Sequence, residues 1–362
     1  MSTKLKKLVI GDKCAEIPVI QGGMGVGISR SSLAGAVAKE GGIGVISTAQ
    51  IGYDEEGFEN NQAECNRKAI GKHIRRAKEI AEGKGLVGVN IMAALKHYKE
   101  HIDASVEAGA DVIISGAGLP VNMPAVARES AEKYGVEIPK LAPIVSSGRA
   151  AEIILKMWDH KYKMAPDFMV AEGPLAGGHL GFSPEQLEDI EAIDFEGIIR
   201  DIIKAKKPYE EKYKRAIPLI VGGGVFDRED IEHMFSLGAD GVQIASRFVA
   251  TEECDASDAY KQAYINAREE DIQIVKSPVG MPGRALCNAF IKKVENEKEK
   301  ITKCYNCLEK CNPANVPYCI TKALTNAVMG DIDNGLIFVG ANVGKINKMT
   351  TVHELMQEFQ GN

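Results

Sequence analysis

The chain has 362 residues, of which 45% are hydrophobic and 26% are charged, with 37 glycines and a formal net charge of −6 at pH 7. Such a composition is typical of a soluble globular protein with many tight turns, forming one large α/β domain or two smaller ones. The negative charge argues against a nucleic-acid surface. No apolar run reaches the roughly 18 residues of a membrane-spanning helix, and no signal peptide is recognisable. We therefore expect a cytoplasmic protein with neither nucleic acid nor membrane as a partner.

Short apolar strands alternate with helical segments through the first two thirds of the chain. Strands are predicted at 17–21, 43–47, 86–91, 111–115, 140–146, 167–171, 217–221 and 241–244. Helices are predicted at 31–40, 98–108, 121–134, 149–158, 195–205 and 228–237, and another follows residue 61 with Ile70, Ile74, Ala77 and Ala81 on one face. Eight such units predict an α/β fold, a closed (β/α)8 TIM barrel. The alternative is a doubly wound open sheet, but the chain has no single G-x-G-x-x-G fingerprint to favour it.

Beyond the eighth strand the pattern changes, so we expect a barrel at 1–250 and a C-terminal helical, cysteine-rich extension at 251–362 that packs on it. The extension is predicted to contain helices at 259–270, 321–329 and 352–359, with a turn-rich loop at 279–284. Its charged stretch at 292–303 predicts a solvated helix or a linker.

The glycine-rich stretch at 169–182, MVAEGPLAGGHLGF, follows the sixth strand and contains Glu172 and His179. Glycines such as Gly177 and Gly178 allow a backbone to approach a bound ligand closely, because they have no Cβ. An imidazole held beside such a ligand changes charge near neutral pH. The alternative is a flexible loop with an incidental surface histidine.

Other strand ends carry similar residues. Gly222, Gly223 and Gly224 follow strand seven, and Ala245 and Ser246 follow strand eight, where barrels commonly bind phosphate. Ordinary turn chemistry is the alternative for these two loops.

Neutral hydrogen-bonding groups follow strands one and three. Gln21, Gly22, Gly23 and Met24 lie after the first strand, and Asn90 ends the third. They suit an aromatic cofactor with carbonyl and N–H edges, although Asn90 alone could be a cap or turn residue.

Six segments, IQGGMG, GVNIM, ISGAGLP, AEGPLAGGHLG, VGGGV and ADGVQIASRFV, together resemble the nitronate monooxygenase (2-nitropropane dioxygenase) family and the related flavin-dependent enoyl-acyl-carrier-protein reductases. The resemblance implies an FMN-binding (β/α)8 barrel in which His179 is the active-site histidine. It also implies FMN contacts from Gly22, Gly23, Met24, Asn90, Glu172, Gly177, Gly178, Gly223, Gly224, Gln243, Ile244, Ala245 and Ser246. Glu172 departs from the glutamine usual in the monooxygenases, and Gly116, Ala117 and Gly118 look more like the reductases.

The resemblance implies oxidation of alkyl nitronates by flavin and O2, with a small-molecule substrate. The alternatives are NAD(P)H-dependent reduction of an enoyl thioester and, from another class, a flavin- or metal-binding regulatory protein without turnover. Whether the chain forms a homodimer stays open.

Four of the eight cysteines lie close together, as Cys304-x2-Cys307-x3-Cys311-x7-Cys319. This spacing is not usual in the family, and it predicts a zinc site or an iron–sulfur cluster held by thiolates. Reduced structural cysteines are the alternative.

Overall fold

The computed structural model describes residues 5–361, and its centre is a closed barrel of eight parallel strands. The strands are β1 (Val19–Gln21), β2 (Ile43–Ser47), β3 (Leu86–Met92), β4 (Val112–Gly116), β5 (Lys140–Val145), β6 (Met169–Glu172), β7 (Leu219–Gly222) and β8 (Gly241–Ile244). Each strand pairs with the next along the chain, and β8 pairs with β1 to close the barrel. The predicted (β/α)8 TIM barrel is confirmed.

Seven long helices and one short helix (Pro184–Glu188) connect these strands, and a further long helix comes from the end of the chain. The long helices are α1 (Ser31–Lys39), α2 (Gln62–Ala81), α3 (Tyr98–Glu107), α4 (Met123–Tyr134), α5 (Gly148–Tyr162), α6 (Phe195–Tyr213), α7 (Arg228–Ser236) and α8 (Val352–Gln360). Helix α6 runs beyond its predicted end and includes Pro208. The apolar face of α8, with Leu355 and Phe359, packs in one cluster with residues of α1 and α7, so it fills the eighth helix position.

Two apolar layers stabilise the barrel. Alternate strand residues such as Ile20, Val45 and Ile220 point inward and fill its interior, since successive strand side chains face opposite sides. The remaining strand side chains pack against the helices. An N-terminal hairpin (Leu8–Ile10 and Lys13–Ala15), which the sequence pattern did not indicate, adds its apolar side chains to the inner layer. Active sites of such barrels lie at the opposite, C-terminal face.

The extension contains helices Asp258–Ile265, Ala289–Asn296 and Ile320–Met329 besides α8, and a hairpin of strands Ile272–Lys276 and Pro282–Leu286. The predicted loop at 279–284 is therefore partly a strand, and the charged stretch at 292–303 is helical only as far as Asn296. Strand Pro282–Leu286 also pairs with Gly178–His179, which lies after β6. No helix within residues 5–361 combines the length and apolar character needed to cross a membrane.

Candidate active site

A cavity of about 400 Å³ opens at the C-terminal ends of the barrel strands. Its lining includes nearly all of the predicted site residues: His179, Gly22, Gly23, Met24, Asn90, Glu172, Gly177, Gly178, Gly223, Gly224, Gln243, Ala245 and Ser246. Ile244 is the exception, because its side chain packs between the barrel and the helices. Its carbonyl oxygen nevertheless accepts a hydrogen bond of 2.9 Å from the Gly22 N–H, which fixes the loop after β1.

Two glycines expose the backbone in the part of the cavity beside β7. Gly223 and Gly224 have φ values of +91° and +109°, which favour glycine, and a Cβ on Gly223 would lie 2.7 Å from the Gly173 oxygen. The Ser246 hydroxyl accepts the Gly340 N–H at 3.1 Å, so it does not cap the following turn. The backbone can thus approach a ligand closely here, as the tight contacts of a phosphate require.

Three polar side chains reach the cavity from the ends of three different strands. Asn90 comes from β3, Glu172 from β6 and Gln243 from β8. None of the three side chains has a hydrogen-bond partner among residues 5–361, and burial raises the pKa of the Glu172 carboxyl to about 7. Unpartnered amide and carboxyl groups in a cavity are available to a ligand with N–H and C=O edges.

Gln21 does not join them, although the sequence grouped it with the loop after β1. Its side chain is fully buried, where its Oε1 accepts the Val45 N–H at 3.0 Å and its Nε2 donates to the Val45 carbonyl at 3.2 Å. The next-but-one residue, Gly23, brings the loop against β3, because a Cβ there would lie 2.4 Å from the Asn90 Cβ. Gln21 therefore stabilises the barrel, whereas Gly23 lets the loop after β1 lie against β3 at the cavity.

His179 lies on the short strand that pairs with the extension. Its Nε2 is 2.7 Å from the Ser277 Oγ, and its ring meets the Phe338 ring edge-on with centroids 4.9 Å apart. Burial lowers the pKa of the imidazole to about 4. His179 is thus a neutral imidazole at physiological pH, held between a hydroxyl and an aromatic ring.

The sequence pattern missed the contribution of the extension to the cavity. Ser277, Met281 and Phe338 belong to it and lie at or beside the wall near His179. Arg284, only 2% exposed, donates from its Nη1 to the Pro174 carbonyl at 2.7 Å and to the Ala176 carbonyl at 2.5 Å. The glycine-rich loop before His179 is therefore held in place from the extension.

Comparison with known proteins identifies the family. The sequence profile of nitronate monooxygenases matches residues 7–361, nearly the whole chain. The chain belongs to the nitronate monooxygenase family. It is therefore an oxidoreductase of a family that is generally flavin-dependent and acts on small molecules.

Individual relatives agree with this assignment. A probable nitronate monooxygenase of Staphylococcus aureus (strain N315) is 27% identical over 307 residues, which cover 77% of this chain and 78% of the relative. FabK from Thermotoga maritima is 25% identical, with a TM-score of 0.68 over 95% of this chain and 92% of that one. A nitroalkane oxidase from Streptomyces ansochromogenes, 18% identical, shares the fold with a TM-score of 0.69 over 95% and 96% of the two chains.

The cavity suits the flavin of this nitronate monooxygenase family. A flavin ring presents N–H and C=O edges, and the unpartnered Asn90, Glu172 and Gln243 side chains are the complementary groups. The glycine backbone at Gly223 and Gly224 provides the close approach that a terminal phosphate needs.

The structure does not support the predicted metal site. Within residues 5–361, no three His, Cys, Asp or Glu side chains are placed to hold a metal ion, and Cys304, Cys307, Cys311 and Cys319 are free thiols. Burial, with a smaller contribution from the neighbouring thiols of Cys319 and Cys311, raises the pKa of Cys307 to about 11. The segment is instead anchored by backbone hydrogen bonds, such as that from the Lys96 N–H to the Cys307 carbonyl at 3.1 Å.

Proposed function

We propose that the protein is an FMN-dependent monooxygenase that oxidises alkyl nitronates with O2. The observation that carries this proposal is the position of a neutral imidazole, His179, in the same cavity as three unpartnered polar side chains. FMN, when bound, supplies the electron transfer between the nitronate and O2. The family membership supports the same reaction class.

The residues divide into those that would hold FMN and those that would meet the substrate. Asn90, Glu172 and Gln243 would bind the ring edges, and the backbone at Gly223 and Gly224 would receive the phosphate. The remaining predicted contacts, Gly22, Gly23, Met24, Gly177, Gly178, Ala245 and Ser246, would form the surrounding cradle. A single glycine-backbone region of this kind suits the one phosphate of FMN rather than the two phosphates of FAD.

The substrate would lie between the flavin and the wall formed by the extension. Phe338 and Met281 of the extension, together with Leu119 from the loop after β4, give this region an apolar character, which suits an alkyl group and reduces access of water. His179 would hydrogen-bond the nitro group of the substrate or accept its α-proton. In either role the imidazole acts from a fixed position, because both its neighbours come from the extension.

Anaerobic mixing of the purified, FMN-loaded protein with a nitronate and, separately, with NADH tests the proposal. We expect the flavin absorbance to bleach with the nitronate and not with NADH. Rapid bleaching by NADH would favour the alternative, an enoyl thioester reductase, to which the likeness to FabK gives some support. No bleaching by either compound would favour a flavin-binding protein without turnover.

A further inference from the structure

The hydroxyl of Ser277 has a restricted set of partners. It lies 2.7 Å from His179 Nε2 and accepts the Val279 N–H at 3.3 Å, and Ser277 is only 9% exposed. Residues 5–361 provide no further hydrogen-bond partner for this hydroxyl. Within the described chain, the Ser277 hydroxyl can therefore donate its proton only to the lone pair of Nε2.

This count of donors and acceptors determines the tautomer of His179. If Nε2 carried the imidazole proton, Ser277 Oγ would accept two hydrogen bonds and its own proton would stay buried and unpaired. A buried polar group without a partner costs about 1–3 kcal/mol, so this arrangement is disfavoured. If Ser277 donates to Nε2, every group is paired and the imidazole proton lies on Nδ1.

The Nδ1 atom is the one that faces the cavity. It has no hydrogen-bond partner within residues 5–361, yet it is not among the buried nitrogen and oxygen atoms that lack one. It must therefore be accessible from the cavity that His179 lines. A ligand in the cavity would meet an N–H donor.

We propose that Ser277 is a positioning residue that holds His179 as the Nδ1–H tautomer, so that the site selects preformed nitronate anions over neutral nitroalkanes. This inference rests on the proposed function, which it deepens. A nitronate carries negative charge on its oxygens, and an N–H donor stabilises it without any proton transfer. A neutral nitroalkane must first lose a proton from carbon, and the protonated Nδ1 has no lone pair to accept it.

The low basicity of His179 agrees with a donor role. Burial holds its pKa at about 4, whereas a general base that works near neutral pH needs a pKa near that pH. The strand register fixes the geometry, since Gly283 pairs with His179 and Arg284 with Gly178. The Gly280 N–H donates to the Ser277 carbonyl at 2.9 Å, which closes the turn that carries the hydroxyl.

The kinetic test compares ethyl nitronate with freshly dissolved nitroethane, by O2 consumption of the FMN-loaded protein. We expect the wild-type protein to prefer the nitronate strongly in kcat/KM. Ser277→Ala should lower kcat/KM for the nitronate about tenfold and reduce the preference, because either nitrogen can then carry the proton. Ser277→Thr keeps the hydroxyl and should retain the preference, as should the control Ser236→Ala at the end of α7, remote from the cavity.

A second readout does not depend on activity. Long-range ¹H–¹⁵N correlation spectra of ¹⁵N-histidine-labelled protein distinguish the two neutral tautomers, and the signal lost in His179→Gln identifies this residue. We expect Nδ1–H in the wild-type protein and in Ser277→Thr, and a loss of this preference in Ser277→Ala.

An Nε2–H tautomer in the wild-type protein, or equal kcat/KM for nitroethane and ethyl nitronate, would overturn the inference. Failure to oxidise any nitronate would instead refute the proposed function, while the spectra would still decide the tautomer. Thermal unfolding of each variant separates a loss of fold from a loss of positioning.

Discussion

Glu172 gives the protein a pH-dependent stability that one substitution should remove. Its carboxyl lies at the end of β6 in the cavity, has no hydrogen-bond partner within residues 5–361, and has a pKa raised by burial from 4.5 to about 7. The neutral acid is tolerated there, but the carboxylate has lost water without gaining a partner. Glu172→Gln keeps the shape of the neutral acid and cannot ionise.

The direction of the effect follows from the two pKa values. Since the folded protein holds the proton more tightly than the unfolded chain, its stability falls as the pH rises from about 4.5 to about 7. A shift of this size corresponds to about 3 kcal/mol at most. The side chain is half-buried and faces a cavity that admits water, so we expect about 2 kcal/mol.

Urea unfolding of the flavin-free protein at pH 4 and at pH 8.5 measures this difference. Glu172→Gln should match the wild-type protein at pH 4 and exceed its free energy of unfolding by about 2 kcal/mol at pH 8.5. Glu132→Gln, an exposed change on α4, should show no such pH-dependent gain. If Glu172→Gln were equally destabilised at both pH values, the carboxylate would have favourable partners and the reasoning would be refuted.

Two further substitutions and one cofactor analysis test the site. His179→Ala should keep FMN bound and lower turnover roughly 10²–10⁴-fold, and loss of FMN instead would make the histidine structural. Heat-denatured protein should release FMN, identified by chromatography, whereas FAD would contradict the one-phosphate cradle. Arg284→Met should lower the free energy of unfolding by about 2–4 kcal/mol in urea, because the Pro174 and Ala176 carbonyls lose a buried cationic donor; an unchanged value would show that the loop does not depend on it.

The barrel was predictable because the sequence pattern that indicates it is local. Each short apolar strand followed by a helix can be recognised within about thirty residues, and eight repeats of that pattern leave few architectures. The glycines around His179 and after β7 were recognisable for the same reason. Ile244 was predicted in the site together with Gln243, but adjacent strand residues face opposite sides, so the Gln243 side chain faces the cavity and the Ile244 side chain faces the helices. The cysteine spacing predicted metal ligands, but spacing alone does not determine whether thiols are arranged around one point, and no such arrangement occurs within residues 5–361.

The role of the extension could not be found in this way, because its contacts with the site join distant parts of the chain. Ser277 and His179 are 98 residues apart, and their hydrogen bond exists only because strand Pro282–Leu286 pairs with Gly178–His179. The sequence identifies the histidine. Which ring nitrogen faces the substrate depends on the hydrogen bond from Ser277, and the hairpin that carries Ser277 has no recognisable motif. Changes in that hairpin should therefore alter substrate preference while the strand ends that would hold the flavin stay the same.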